Sequence, residues 1–147
     1  MRVGVHSWRV ARNALLAILL LGLTGTGVEL LFLGHYEGAL QIIPLVLIGL
    51  GLGVVLWYAM VGSSASVRVM RVTMAMFVAA GAAGMVLHYL GNIEFQREVD
   101  PSIEGFALFT KAMRAKAPPA LAPGSMAQLG LLGLVCTYGF AQGRNET

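Results

Sequence analysis

Charged residues are scarce in this sequence: Lys, Arg, Asp and Glu make up 12% of its 147 residues, whereas apolar residues make up 57%. A soluble domain normally carries about 25% charged residues. The composition therefore excludes a water-soluble globule and a disordered chain. The ten Lys and Arg residues are scattered along the chain, so the net charge of +3 does not indicate a nucleic-acid partner.

Cysteine is nearly absent as well, because Cys136 is the only one. A single cysteine excludes a disulfide framework, a cysteine-based zinc module and a covalently attached haem. The sequence also lacks the glycine-rich phosphate loops of nucleotide-binding proteins and the GxSxG motif of hydrolases. These absences favour a non-catalytic protein but leave an enzyme open.

Long apolar runs are what the sequence does contain. A membrane-spanning helix needs about 20 mostly apolar residues, and we predict four such spans, at residues 13–34, 41–62, 72–91 and 124–141. The sequence thus predicts an all-α integral membrane protein, with residues 1–147 forming one transmembrane four-helix bundle. The first run is longer than the apolar region of a signal peptide and lacks a clear cleavage site, so we interpret it as a span.

The distribution of Lys and Arg predicts the orientation, because short cytoplasmic segments of membrane proteins are enriched in them. Arginines occur before the first span, between the second and third spans, and after the fourth; they are Arg2, Arg9, Arg12, Arg68, Arg71 and Arg144. We therefore expect both termini on the cytoplasmic side of the plasma (inner) membrane. The first loop has no Lys or Arg, and the third loop balances its basic residues with acidic ones.

The third loop, residues 91–123, is the one long segment between the predicted spans. Ser102 is a residue type that favours helix N-termini, and the residues after it mix apolar and charged side chains. This pattern predicts a short amphipathic helix over residues 102–115, on the membrane surface or over the mouth of the bundle. The loop would form an outer cap on the four helices.

Glycine is abundant, with 19 residues, and several lie inside the predicted spans. Three pairs are three or four residues apart: Gly49 and Gly53, Gly81 and Gly84, Gly130 and Gly133. Small residues allow close approach of helix backbones in lipid, where no hydrophobic force drives helices together. The pairs predict close packing within the bundle, and for the Gly49/Gly53 pair a contact with a partner subunit is the alternative.

Candidate site residues lie toward the outer ends of the first and third spans, in the first loop or at the start of the third loop; they are Glu29, His35, Glu37, His88, Asn92 and Glu94. An acidic residue inside a span normally faces the bundle interior, a cavity or a partner, and Glu29 is such a residue. The plainer alternative for Glu29 is a shallow position near the headgroups. For His88 the alternative is a hydrogen bond across a helix interface.

Three ligands fit these residue types. Imidazole with carboxylate suits a divalent metal, with Glu29, His35 and His88 as the candidate ligands. The first and third helices of an up-down bundle lie diagonally, so His35 and His88 could face each other and hold haem b. A histidine can also donate a hydrogen bond to a quinone carbonyl. No HExxH, ExxH or CxxC spacing supports the metal.

Two functions remain open on the sequence alone. The first is a small non-catalytic accessory or assembly subunit of a larger membrane complex, respiratory or photosynthetic. The second is an outward-facing metal, haem or quinone site built on Glu29, His35 and His88. The inner halves of the predicted spans contain few polar residues, which favours the first function. The expected partners are the lipid bilayer and other membrane subunits or further copies of this chain.

Overall fold

A computed structural model of the chain describes residues 2–138, with side chains described from residue 7 onward. This part of the chain forms five α-helices; they are α1 (Arg2–Phe32), α2 (Ala39–Val61), α3 (Ser64–Val99), α4 (Gly105–Met113) and α5 (Gly124–Cys136). No β-strand occurs within it, so the all-α prediction is confirmed for these residues.

Three helices are long and apolar enough to cross a membrane: the Ser7–Phe32 part of α1, the whole of α2, and α3. At about 1.5 Å per residue, the 23 residues of α2 cover about 34 Å and match a hydrocarbon core of about 30 Å. The 36 residues of α3 cover about 54 Å, so this helix extends well beyond such a core. The chain is therefore a helical protein with the apolar helices of a membrane protein.

The helices α1, α3 and α5 differ in their boundaries from the predicted spans, and α1 begins at Arg2, eleven residues before the predicted first span. The predicted span 72–91 is the middle of a longer helix, because α3 begins at Ser64 and ends at Val99. Helix α5 has 13 residues and covers about 20 Å, and the end of the predicted span 124–141 lies outside the described residues.

Two glycines end the first two helices. Gly34 and Gly62 have φ values of 65° and 57°, a left-handed conformation that residues with a Cβ atom adopt only at a cost. Ser63 follows at once and caps α3, because its hydroxyl oxygen accepts a hydrogen bond from the backbone N–H of Ser66 at 3.1 Å. The connection between α2 and α3 is therefore only two residues long.

The helices pack in the ring order α1, α2, α3, α5, with α5 returning to α1. Their shared core consists of large apolar side chains with no solvent exposure, among them Leu19, Leu23, Val55, Met74 and Phe77. Many other large apolar side chains face outward, including Phe32 at 88% and Met60 at 78% exposed. An apolar surface of this extent is what helices in contact with lipid require.

The segment between α3 and α5 contains the short helix α4, which packs against α3. Helix α4 begins at Gly105, so Ser102 does not cap it; the cap position is Glu104. The hydroxyl of Ser102 instead donates to Asp100 Oδ1 at 2.7 Å, a local side-chain bond that competes with helix capping. Leu108 and Ala112 are the buried residues of α4.

The glycine pairs divide into two groups. A Cβ atom on Gly81 would lie 2.6 Å from Ala127 N, and one on Gly130 would lie 2.6 Å from Met74 O. Gly84 and Gly133 likewise have no room for a Cβ atom, against Pro123 and Met74. These glycines allow α3 and α5 to approach closely. Gly49 and Gly53 on α2 are different, because nothing lies within 4 Å of an added Cβ at either position.

Candidate functional site

The structure brings two of the predicted site residues together at one end of the bundle. His35 lies in the turn after α1 and His88 lies on α3, and their ring centroids are 6.5 Å apart at an interplanar angle of 61°. Both side chains are half-buried. We call the end of the bundle that contains this pair the histidine end. It is where α1 ends, α2 begins and α5 begins.

His88 and Asn92 hold the segment that connects α4 to α5. The Nδ1 atom of His88 lies 3.0 Å from Pro119 O; a carbonyl oxygen only accepts, so this nitrogen carries the proton. The amide nitrogen of Asn92 donates to Ala112 O at 3.2 Å and to Pro118 O at 3.0 Å. Four residues apart on α3, the two side chains share one helix face and bind the backbone of α4 and of the segment after it, which together we call the cap.

Asn92 is 3% exposed, so its side-chain bonds replace water for two carbonyl groups. The Ala117–Pro118 peptide bond is cis, and the carbonyl of Pro118 is one of the two that Asn92 binds. Because the Asn92 amide nitrogen is already used, this residue serves the structure of the cap. Sequence reasoning places Asn92 among candidate ligands, since the backbone carbonyls that it binds have no signature in the sequence.

The surroundings of His35 oppose its protonation. Burial lowers the pKa of His35 below its ordinary value of 6.5, and the charge of a protonated His88 lowers it further. A neutral imidazole keeps one nitrogen lone pair free to accept a hydrogen bond or bind a metal. With Nδ1 of His88 protonated toward Pro119, that acceptor in His88 is Nε2.

The predicted carboxylates do not join the histidine pair. Glu29, Glu37 and Glu94 are all exposed, and their side chains make no hydrogen bond or ion pair with the described residues. Glu94 lies on the part of α3 that continues past Asn92. Among the side chains described, those of residues 7–138, no three of His, Cys, Asp or Glu are grouped so that they could hold a metal ion.

Helix α4 contributes an aromatic contact beside the pair. The ring of Tyr89 on α3 lies 6.0 Å from that of Phe109 on α4, edge to face, and Phe109 stacks on Phe106 at 6.1 Å. A separate polar contact, Lys111 Nζ to Asp100 Oδ2 at 3.9 Å, joins α4 to the end of α3 at the surface. Such contacts orient α4 over the histidine end, although an exposed ion pair contributes little free energy.

The opposite end of the bundle contains a polar network that sequence reasoning missed. We call it the arginine end; it is where α2 ends, α3 begins and α5 ends. Arg71 Nε donates to Thr137 Oγ1 at 3.0 Å and Arg71 Nη2 donates to Thr137 O at 3.2 Å. The hydroxyl of Tyr58 donates to Cys136 O at 3.0 Å. From the sequence alone, Arg71 serves only to predict the orientation in the membrane, and its contacts with Thr137 have no signal there.

Comparison with protein-family models, curated proteins and solved structures found no match for this chain. Its function therefore has to be argued from its own residues. The described residues form a histidine pair, a cap bound by His88 and Asn92, an open glycine face on α2 and an arginine network at the opposite end.

Proposed function

We propose that this chain is a small, non-catalytic accessory or assembly subunit of a larger membrane complex, such as a respiratory or photosynthetic one. The observation that supports it is the open glycine face of α2, centred on Gly49 and Gly53. The paired glycines of α3 and α5, Gly81 with Gly84 and Gly130 with Gly133, are accounted for by contacts inside the chain. The α2 pair has the GxxxG spacing that allows close helix contact in lipid, but contacts no helix within the described part of its own chain.

The side chains next to this pair fit the same role. Val46 and Leu50 lie on the outward side of α2 and are 61% and 49% exposed. A flat surface of glycine flanked by branched apolar side chains is the shape on which a second membrane helix packs. The occupant we propose is a transmembrane helix of another subunit, and a second copy of this chain is the alternative that the experiment separates.

The polar residues at the histidine end support a structural role as well. His88 and Asn92 use side-chain nitrogens to hold the backbone of the outer cap. A carrier or enzyme within the bilayer generally needs polar groups near the middle of its spans, whereas the described core there is apolar.

The proposal includes a topology. Four spans, the last over residues 124–141, would place both termini in the cytoplasm of a plasma (inner) membrane, because the arginines in the first part of α1 and at the start of α3 then share the cytoplasmic side. Helix α4 would lie as an amphipathic helix at the outer surface. Accessibility of single cysteines introduced at Glu37 and at Ser64 to a membrane-impermeant reagent tests this topology, with labelling expected only at the first position in intact cells.

The main experiment is purification of the tagged chain from native membranes in mild detergent, with Cys136 retained. We expect other subunits to co-purify in fixed ratio, and we expect the double variant Gly49→Leu/Gly53→Leu to lose them. Gly25→Leu is the matched control, because an added Cβ at Gly25 also meets open space. A wild-type chain that purifies alone, or a double variant that keeps its partners, would contradict the proposal. Co-purification of only a second, differently tagged copy would replace it with a homo-oligomer.

A second candidate function is an outward-facing site for a divalent metal, haem b or a quinone. The 6.5 Å separation of the His35 and His88 rings favours it, since two imidazoles this close could bind one ligand with their free nitrogens. Glu29 would have to turn toward the pair. Titration of the purified chain with Zn²⁺, and separately with haem, tests it. Saturable binding lost in His35→Ala and in His88→Ala but kept in His6→Ala would support the site, and no binding would exclude it.

A further inference from the structure

Side chains from three helices converge on the last turn of α5 at the arginine end. Tyr58 of α2 binds Cys136 O, and Arg71 of α3 binds both the hydroxyl and the carbonyl oxygen of Thr137. Arg12 of α1 lies close enough to act electrostatically on both Tyr58 and Cys136. The guanidinium groups of Arg12 and Arg71 therefore both act on the Tyr58 side chain.

Arg12 is left without a full set of acceptors. Its Nε atom is buried from solvent and has no hydrogen-bond partner among the described residues. A buried donor without an acceptor costs free energy, about 1–3 kcal/mol, more when the group is charged. Folded proteins rarely leave such a donor unpaired, and a bound ion or an ordered water often supplies the acceptor where the protein does not.

The arginine end contains several positive side chains and no described acidic side chain. Four arginines lie there among the residues with described side chains; they are Arg9, Arg12, Arg68 and Arg71. Every described acidic side chain lies toward the histidine end, starting with Glu29 near the end of α1. The carboxyl-terminal end of α5 offers only about half a negative charge, and Arg71 already binds there. Nothing described at this end neutralises Arg12.

We propose that Arg12 and Arg71 hold the phosphate group of an anionic phospholipid beside Tyr58 at the arginine end. A planar guanidinium matches phosphate oxygens with two parallel hydrogen bonds. Basic pockets between transmembrane helices bind anionic headgroups, and the apolar spans put the ends of α1 and α3 at the depth of lipid phosphates. Met60, two residues after Tyr58 on α2, and Val72, next to Arg71 on α3, are exposed apolar side chains that offer contact to acyl chains.

Two different sources could supply this chemistry, a phospholipid and free phosphate. The experiment is native mass spectrometry of the delipidated chain, titrated with dioleoyl phosphatidylglycerol, with dioleoyl phosphatidylcholine, and with inorganic phosphate. We expect saturable binding of one phosphatidylglycerol and much weaker binding of phosphatidylcholine. Tight binding of inorganic phosphate without any preference for phosphatidylglycerol would overturn the lipid assignment.

The variants separate a built site from general surface charge. Arg12→Gln should weaken phosphatidylglycerol binding about tenfold, the effect of about one charged hydrogen bond. Arg68→Gln, which removes the same charge from an exposed position, should change binding less than about twofold. Equal losses in both variants would overturn the proposal. Arg12→Lys keeps the charge but lacks Nε, so we expect it to weaken phosphatidylglycerol binding more than Arg68→Gln and less than Arg12→Gln. This variant replaces Arg12→Gln in the test if Arg12→Gln does not fold.

A carboxylate of the chain itself is the remaining competitor for Arg12. The only acidic residue after α5, Glu146, lies outside the described residues. Glu146→Gln should leave phosphatidylglycerol binding unchanged if a lipid phosphate is the partner of Arg12. Stronger lipid binding in Glu146→Gln would mean that this carboxylate occupies the site, and would overturn the proposal.

Discussion

The close contact between α3 and α5 makes a quantitative prediction for Gly130→Ala. An added Cβ would lie 2.6 Å from Met74 O, 2.8 Å from Val78 Cγ2 and 2.9 Å from Phe77 Cβ. Two of these three atoms, Met74 O and Phe77 Cβ, cannot move away by a simple rotamer change. To restore an ordinary separation, α5 would have to move away from α3 by several tenths of an ångström along the tightest interface of the bundle.

Overpacking of this kind costs about 1–3 kcal/mol. Alanine is the better helix former by about 1 kcal/mol in water. That gain largely disappears here, because a membrane chain that loses its tertiary packing keeps its helices. We therefore expect Gly130→Ala to lower the free energy of unfolding by about 1–3 kcal/mol, a factor of about 5 to 150 in the equilibrium constant.

Gly22→Ala is the matched control for this prediction. Its added Cβ would lie 2.5 Å from Leu129 Cδ2, a similarly short distance. The obstacle in this case is the end of a flexible side chain, which a rotamer change can remove at about 0.5–1.5 kcal/mol or less. We expect Gly22→Ala to cost clearly less than Gly130→Ala.

Reversible unfolding in mixed detergent micelles, followed by the fluorescence of Trp57 in a Trp8→Phe background, measures both variants. The fluorescence reports on tertiary packing, whereas circular dichroism would follow helices that persist in the unfolded state. If Gly130→Ala left the free energy of unfolding unchanged, or if both variants lowered it equally, rigid backbone contact would not be what decides the loss of stability.

Three further predictions concern the histidine end. Asn92→Ala removes both hydrogen bonds to the cap and should lower the free energy of local opening of the cap by about 1–3 kcal/mol. Amide hydrogen exchange should then be faster in α4 and unchanged in α2. His88→Ala removes one of the two causes that lower the pKa of His35, so NMR titration should show that pKa rising toward 6.5, with part of the shift kept because burial remains. The pKa of Asp100 lies below its ordinary value of 3.8, first because the Ser102 hydroxyl donates to its carboxylate and then because the Ser102 backbone N–H does. Ser102→Ala should therefore raise the pKa of Asp100. The stabilisation from these bonds is present above pH 3.8 and is lost as the pH falls through the lower pKa of the folded state.

The lowered pKa of His35 also makes the folded state less stable at low pH, as that of Asp100 does. The cause differs, because burial destabilises the charged form of His35 whereas hydrogen bonds stabilise the charged form of Asp100. His35 binds a proton less readily in the folded chain than in an unfolded one, because its folded pKa is lowered. The unfolded state therefore binds more protons near and below pH 6.5, and the local stability falls as the pH is lowered through that value. An unchanged stability of the turn after α1 between pH 8 and pH 5 would contradict this.

Much of the helical architecture could be predicted from the sequence. Helix α2 is predicted at 41–62 and found at Ala39–Val61, and the predicted end of the first span lies two residues from Phe32. Insertion of a helix in lipid depends on the summed transfer free energy of about 20 consecutive residues. That quantity is local, so a single sequence contains it. The predicted third span starts at residue 72 because the charges of Arg68 and Arg71 exclude them from a span, whereas the helix α3 itself begins at Ser64 and includes both arginines.

The helix boundary before α3 nevertheless has a signal in the sequence. Gly62 followed by Ser63 is a helix-ending residue next to a helix-starting one, and it marks the two-residue connection that the structure has. Ser102 is the opposite case. It is the same residue type, but the neighbouring Asp100 carboxylate offers its hydroxyl a nearer acceptor, and the helix begins three residues later.

Only the tertiary structure decided which polar groups meet. The sequence by itself determined a set of long apolar helices, a histidine-bearing end and an arginine-bearing end. It did not determine that Asn92 is buried while Glu94 is exposed, or that the Gly81/Gly84 and Gly130/Gly133 pairs are covered while Gly49 and Gly53 are open. These outcomes depend on the rotation of each helix about its axis and on the surface of the helix beside it. Both are set by packing across the whole bundle, between residues as distant in sequence as Tyr58 and Cys136.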